Sequence, residues 1–186
     1  HMPRPDKDRK RFMTLTTITP STRKLLAYRM LRGVGPAKLR LLTSSRDIES
    51  IVDGSDEPTG VTAIDKAIVD VRTWATARDD AQRQVEAALL AGARILSAVD
   101  PDYPPLLKQS SDDPFLLYVR GVLPKSGQHT VAVIGTREPT HHGEIIATRV
   151  TEFLVNADRS VVSGLALGCD AVAHRSCLRQ GGHTVA

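Results

Sequence analysis

Val131-Ala-Val-Ile134-Gly-Thr-Arg137 is a short apolar run that stops at a glycine and a cation. A run rich in β-branched side chains and ended by Gly135 reads as a strand buried on both faces. Past the loop, Ile146, Val150 and Leu154 recur one turn apart with Ile145 and Phe153 beside them, which predicts a helix over 141–157 with one apolar face. A second apolar run, Ser160-Val-Val-Ser163, enters Gly164-Leu-Ala-Leu-Gly168-Cys-Asp170. A helix to about Gln180 follows, and Gly181-Gly182 lead into a third run, His183-Thr-Val-Ala186. The order is β-α-β-α-β, whose crossovers are right-handed and whose strands are therefore parallel. In such a sheet ligands bind beyond the carboxyl ends of the strands, where helix N-termini present free N–H groups and partial positive charge. The loops 135–142 and 163–170 both fall on that edge.

Working outward, a chain of 186 residues holds one good core, or one core and a small appended domain. The formal net charge is +4, but Arg4, Lys7, Arg9, Lys10 and Arg11 against Asp6 and Asp8 place +3 of it in the first 11 residues. The remaining body is almost neutral, so an anion site has to be a local constellation and not a global field. Cys169 and Cys177 lie eight apart on one predicted helix, roughly 12 Å along its axis, and cannot bridge each other. No Cys/His spacing matches a zinc site, no run approaches a membrane span, and no signal peptide is visible. A reducing cytoplasm is the expected setting.

Toward the N-terminus, residues 1–19 form a basic tail without periodicity and are expected to be disordered. A helix is predicted from an N-cap at Ser21 through Leu25, Leu26, Met30 and Leu31. Arg32-Gly33-Val34-Gly35 then turns the chain, and Pro36 suits the first position of a second helix through Ala37, Leu39 and Leu42. This resembles a helix-hairpin-helix, in which N–H groups at Gly33 and Gly35 meet a nucleic-acid phosphate and Lys38 or Arg40 adds charge. Equally, the turn lets two short helices pack closely. A short helix around 46–52 and a polar joint at 53–60 follow. Ile64, Ile68, Val71 and Ala75 mark one helical stripe, with Trp74 filling the same core; Val85, Ala88 and Leu89 mark another that stops at Gly92. Beyond Gly92 the chain changes to short extended runs, 94–99 and 115–119, separated by the proline-rich turn at 100–105.

The edge loops supply the candidate site. Arg137 can grip a phosphate with two parallel hydrogen bonds, and Gly135 before it lets a ligand approach the backbone. Thr136 and Thr140 offer hydroxyls, and the helix after Thr140 offers N–H groups. Ser163, Gly164 and Gly168 are expected to floor the facing loop, with Asp170 in the first turn of the helix it opens. Single-stranded nucleic acid also needs stacking surfaces, and His141 or His142 could serve. Against this, Arg137 could pair with Glu138 or Asp170, and Asp170 with His174 one turn later. A catalytic triad through Ser163 is not expected, because no Gly-x-Ser-x-Gly elbow is present. No metal and no cofactor are called for; the alternative to nucleic acid is a nucleotide or its derivative, bound by a sensor or enzyme on the same edge.

The series Asp102-Tyr103-Pro104, Asp113-Pro114, Leu117-Tyr118, Gly121, Val133-Ile134-Gly135-Thr136-Arg137, Ser163-Gly164-Leu165-Ala166, Gly168, Asp170, Ala173-His174 and Gly181-Gly182 is similar to the DprA/Smf DNA-processing family. The resemblance implies an α/β protein: a Rossmann-like parallel sheet with helices on both faces, over 93–186, preceded by a small all-helical N-terminal domain over 20–92. It implies a non-enzymatic protein that binds and protects single-stranded DNA and helps load RecA recombinase in natural transformation, as a homodimer and without a membrane. Leu167 departs from the family pattern, standing where many relatives carry Lys or Arg. The chain also stops at Ala186 on what reads as an interior strand, so the sheet is expected to be a fragment or to be completed by another chain.

Overall fold

The computed structural model describes residues 18–45, 50, 58–110, 112–125 and 127–186. The basic tail as far as residue 17, and most of the expected short helix around 46–52 and of the joint after it, lie outside these residues. The chain divides into two compact units, 1–121 and 122–186.

In the first unit, α1 (Pro20–Met30) starts two residues earlier than an N-cap at Ser21 would suggest, because Pro20 occupies its first turn and the Thr19 hydroxyl accepts from the Thr22 N–H at 3.2 Å. Then come α2 (Pro36–Ser45), α3 (Thr62–Val69) and α4 (Val71–Leu90). The stripe through Ile64 and Ala75 is broken at Asp70, whose carboxylate accepts from the N–H groups of Arg72 and Thr73 and caps α4. The Thr73 hydroxyl bonded to that carboxylate, first among its donors, holds the Asp70 pKa below the ordinary aspartate value.

After Gly92, β1 (Ala93–Ser97) and β2 (Leu116–Arg120) pair antiparallel, with the one-turn helix α5 (Pro105–Lys108) between them. This hairpin was expected to belong with the parallel sheet. It is instead a separate two-stranded sheet within the helical unit, because Ile95 enters the core made by Ile18, Leu26, Ala27, Ala81, Val85 and Ala88.

A buried polar knot closes this unit. Asp100, Thr22 and Ser97 are each at most 8% exposed. The Asp100 carboxylate accepts from Thr19 Oγ1 at 2.7 Å, Thr22 Oγ1 at 2.5 Å and the Ser97 N–H at 2.6 Å, joining the start of α1 to the end of β1.

In the second unit, β3 (Thr130–Ala132), α6 (His141–Asn156), β4 (Ser160–Val162), α7 (Cys169–Arg179) and β5 (Thr184–Val185) follow in the expected order. The strands are parallel and lie in the order β3-β4-β5. Right-handed crossovers that step in one direction put both helices on one face, and α6 and α7 pack against each other. Helices on both faces are therefore absent among the described residues, and the sheet lacks the reversal of strand order that defines a doubly wound fold. Val133, Leu154, Val161, Ala173 and Cys177 form the core between sheet and helices. Burial pushes the Cys177 thiol pKa up. On the other face Ala132 is exposed, beside Val162 and Val185 in register.

Asp100→Ala strands several donors in a place water does not reach, which costs about 3 kcal/mol of unfolding free energy. The measurement is urea denaturation followed by the fluorescence of Trp74, the one tryptophan of the chain. A midpoint equal to that of the unaltered protein would show that the knot does not hold α1 to β1.

Candidate nucleic-acid interface

Parallel strands connected by helices start every helix at the carboxyl edge of the sheet, so α6 and α7 both begin beside the loops that leave β3 and β4. Those loops touch. The Cys169 N–H donates to Thr136 O at 3.0 Å. Gly168 has φ of 80° and ψ of −129°, a conformation open essentially to glycine alone. A Cβ on it would overlap the carbonyls of Thr136 and Arg137, and a Cβ on Gly135 would lie 2.6 Å from Cys169 Sγ. The two glycines allow one loop to lie directly on the other.

Arg137 is exposed, and its guanidinium has no hydrogen bond or ion pair among the described residues. It pairs with neither Glu138 nor Asp170. The Thr136 hydroxyl, also exposed, accepts from the Glu138 N–H at 3.2 Å and shapes the turn after the arginine. Thr140 caps α6 by accepting from the Gly143 N–H at 3.2 Å, while the Glu144 N–H donates to Thr140 O. That leaves the N–H groups of His141 and His142 without acceptors among the described residues. Gly168 gives α7 no side-chain cap, and the Asp170 and Ala171 N–H groups are left in the same state. Arg137, the Thr136 and Thr140 loop and the two helix starts thus converge on one open edge.

Ser163 and Asp170 sit differently from what a ligand contact requires. Ser163 is 4% exposed and donates to Val133 O at 2.7 Å, tying β4 to β3. Asp170 is 6% exposed and accepts from the Gly164 N–H at 3.1 Å, so its negative charge is turned inward. It does not bond His174, whose Nδ1 lies 2.8 Å from Thr184 Oγ1. Thr184 donates to Val161 O, so it accepts the Nδ1 proton, and Nε2 is left buried without a partner. No nucleophile, base and orienting acid line up here. Among the described residues no group of three or more His, Cys, Asp or Glu could hold a metal ion, and no helix is long and apolar enough to cross a membrane.

What the sequence did not signal is the state of the loop between Gly164 and Gly168. Leu165 adopts a left-handed φ of 56°. Leu165 and Leu167 are 72% and 77% exposed, a pair of apolar side chains standing out from the carboxyl edge of the sheet. The clue available was two leucines flanked by glycines, with no strand or helix to hide them.

Of the helix-hairpin-helix residues, the side chains of Lys38 and Arg40 are bonded internally, while the N–H groups of Gly33 and Gly35 meet no acceptor among the described residues. Lys38 Nζ donates to Gly33 O at 2.7 Å, and Gly35 O accepts from the Lys38 and Leu39 N–H groups as α2 begins. Arg40 forks onto Asp113, Nε to Oδ1 at 2.7 Å and Nη2 to the carbonyl at 2.8 Å, where Asp113 is 4% exposed. In the second unit a hollow of about 480 Å³ lies at the amino ends of the strands, lined by Asn156, Arg159, Gly182 and His183. Helix C-termini point there, which disfavours an anion.

Residues 94–186 match the family described as DNA recombination-mediator protein A. The chain is 34% identical over 172 residues to protein Smf of Synechocystis sp., covering 87% of this chain and 42% of that protein. It is 38% identical over 90 residues to the DNA processing protein DprA of Streptococcus pneumoniae, covering 48% of this chain and 32% of the other. An X-ray structure of DprA from Streptococcus pneumoniae superposes with a TM-score of 0.60 at 23% identity, over 90% of this chain and 56% of that one. The chain thus spans less than half the length of these curated relatives, and the structural likeness is one of fold.

Gly168→Ala forces a Cβ onto a backbone carbonyl and into a strained region, lowering the stability of the second unit by roughly 2–4 kcal/mol. Amide hydrogen exchange of α7 reads this. Gly143→Ala is the comparison, since its Cβ meets only ordinary contacts at 3.5 Å; equal protection in the two variants would contradict the close approach.

Proposed function

The chain belongs to the DprA/Smf family of DNA-processing proteins, and on that premise we propose that the carboxyl edge of the β3-β4-β5 sheet binds single-stranded DNA by its phosphates. The observation that carries this is Arg137: an exposed, unpaired guanidinium on a loop whose backbone is pinned against Gly168, beside free N–H groups from two helix starts. A guanidinium offers a planar fork to phosphate, and helix N-termini add fixed partial positive charge at no conformational cost. Gly135, Thr136 and Thr140 shape this cradle; Gly164 and Gly168 let the second loop lie close against Asp170 and the first loop; Ser163 and Asp170 keep that second loop in place.

Bases need apolar surface, and aromatic side chains are scarce at this edge. Leu165 and Leu167 supply that surface, standing where a cation would serve a phosphate instead, with His141 and His142 across the edge. The edge is open and not enclosed. That suits a strand that runs on past it better than a small nucleotide, which gains affinity from being surrounded.

In the whole protein this binding protects incoming DNA and presents it to the RecA recombinase during natural transformation, through a homodimer in the reducing cytoplasm. The role is that of a mediator, not an enzyme.

Arg137→Ala is expected to weaken binding of an oligothymidylate about tenfold at low salt, the scale of one charge-assisted contact. The slope of log affinity against log salt falls by about 0.7, as for one phosphate fewer on a single strand. Fluorescence anisotropy across a salt series measures both, and identical slopes in the two proteins would reject the phosphate role.

A further inference from the structure

Between α1 and α4 in the first unit runs a groove of about 800 Å³ whose lining joins an aromatic face to cations. Trp74, Ala75, Arg78, Asp79 and Gln82 come from α4 and Arg23 and Ala27 from α1. Trp74 is only part-buried. Its ring lies 5.4 Å from that of Tyr28 at 30°, and it packs on the edge of the core. Tyr28 is itself 3% exposed, so the tyrosine backs the indole and holds its plane.

Arg78 stands one turn beyond Trp74 on α4, exposed and without a hydrogen bond or ion pair among the described residues. Arg23 faces from α1, and one of its nitrogens, Nη1, donates to Gln82 Oε1 at 2.6 Å, which fixes the guanidinium while leaving its other donors available. Asp79 is the one carboxylate in the lining.

We infer that this groove is a second binding site, for a phosphorylated nucleotide, whose base lies on the Trp74 indole and whose phosphate is held between Arg23 and Arg78. A flat apolar ring backed by another ring, with two guanidiniums within one helical turn or one groove width of it, matches the two chemistries a nucleotide joins in one molecule. An apolar peptide would leave the arginines without partners, and a bare anion would leave the indole unused. The same chemistry is offered by a free nucleotide and by a nucleotide within a single strand, and the groove is independent of the sheet edge proposed above.

Trp74 is the chain's one tryptophan, so in the folded protein all tryptophan emission arises at this groove. The full chain is titrated with deoxyadenosine monophosphate and, separately, with an oligothymidylate, following Trp74 quenching beside anisotropy of the labelled oligonucleotide. Quenching by the mononucleotide assigns the site to free nucleotides; quenching by the oligonucleotide alone assigns it to the strand. In either case Arg23→Gln with Arg78→Gln, both exposed and remote from the core, weakens the quenching titration about tenfold. Arg137→Ala leaves it unchanged, which separates this site from the sheet edge. Silent Trp74 emission while anisotropy reports binding overturns the inference, as does quenching that survives loss of both arginines.

Discussion

No side chain fits between Gly168 and the carbonyls of Thr136 and Arg137. That one steric constraint sets the geometry of the carboxyl edge of the β3-β4-β5 sheet. Because the second loop crosses directly over the first, α7 begins beside β3's exit as well as β4's, and its first N–H is taken by Thr136 O. Arg137 is then held by its backbone while its side chain stays free. A larger residue at 168 would lift α7 from the loop and separate the guanidinium from one of the two helix starts that accompany it.

The order of elements in the second unit was legible because it depends on two local signals. Apolar runs too short for helices mark β3 and β4, and the glycines after each one mark where the chain must turn tightly or approach another segment. The place of Arg137, exposed at the carboxyl edge of the sheet, was legible for the same reason. The direction of each side chain was not. Ser163 sits one residue past the end of β4, and whether it faces the ligand or the neighbouring strand depends on register, which a single strand does not encode. Asp170 stood in the expected site as part of the series from Ser163 and in the first turn of a helix, yet a buried carboxylate beside an orphan N–H is drawn to that N–H first.

The helical unit was harder to read because polar contacts between distant residues decide it. Thr19, Thr22, Ser97 and Asp100 look unremarkable along the chain, as small polar residues near turns. Only folding across some 80 residues brings them together, at the end of a strand whose Ile95 enters the core of the helical unit. The same applies to Arg40, a plausible phosphate ligand until Asp113 arrives from beyond α4 to accept from its Nε and Nη2. Helical spacing likewise placed Trp74 in a core without showing that one side of its ring faces a groove.

The charge of the molecule is consistent with sites that act at short range. Most of the formal +4 belongs to the N-terminal tail, and the body has nearly balanced signs. A neutral body attracts a polyanion weakly at distance, since screening removes fields beyond about 8–10 Å at physiological salt. On the proposed reading, affinity comes from arginines with donors to spare that are held in place: Arg137 by a loop locked under Gly168, Arg23 by Gln82. Where arginines are already paired, as Arg40 and Arg94 are, the carboxylate has removed them from this role. Among the described residues the guanidiniums of Arg137 and Arg78 are free, whereas those of Arg40 and Arg94 are tied to carboxylates.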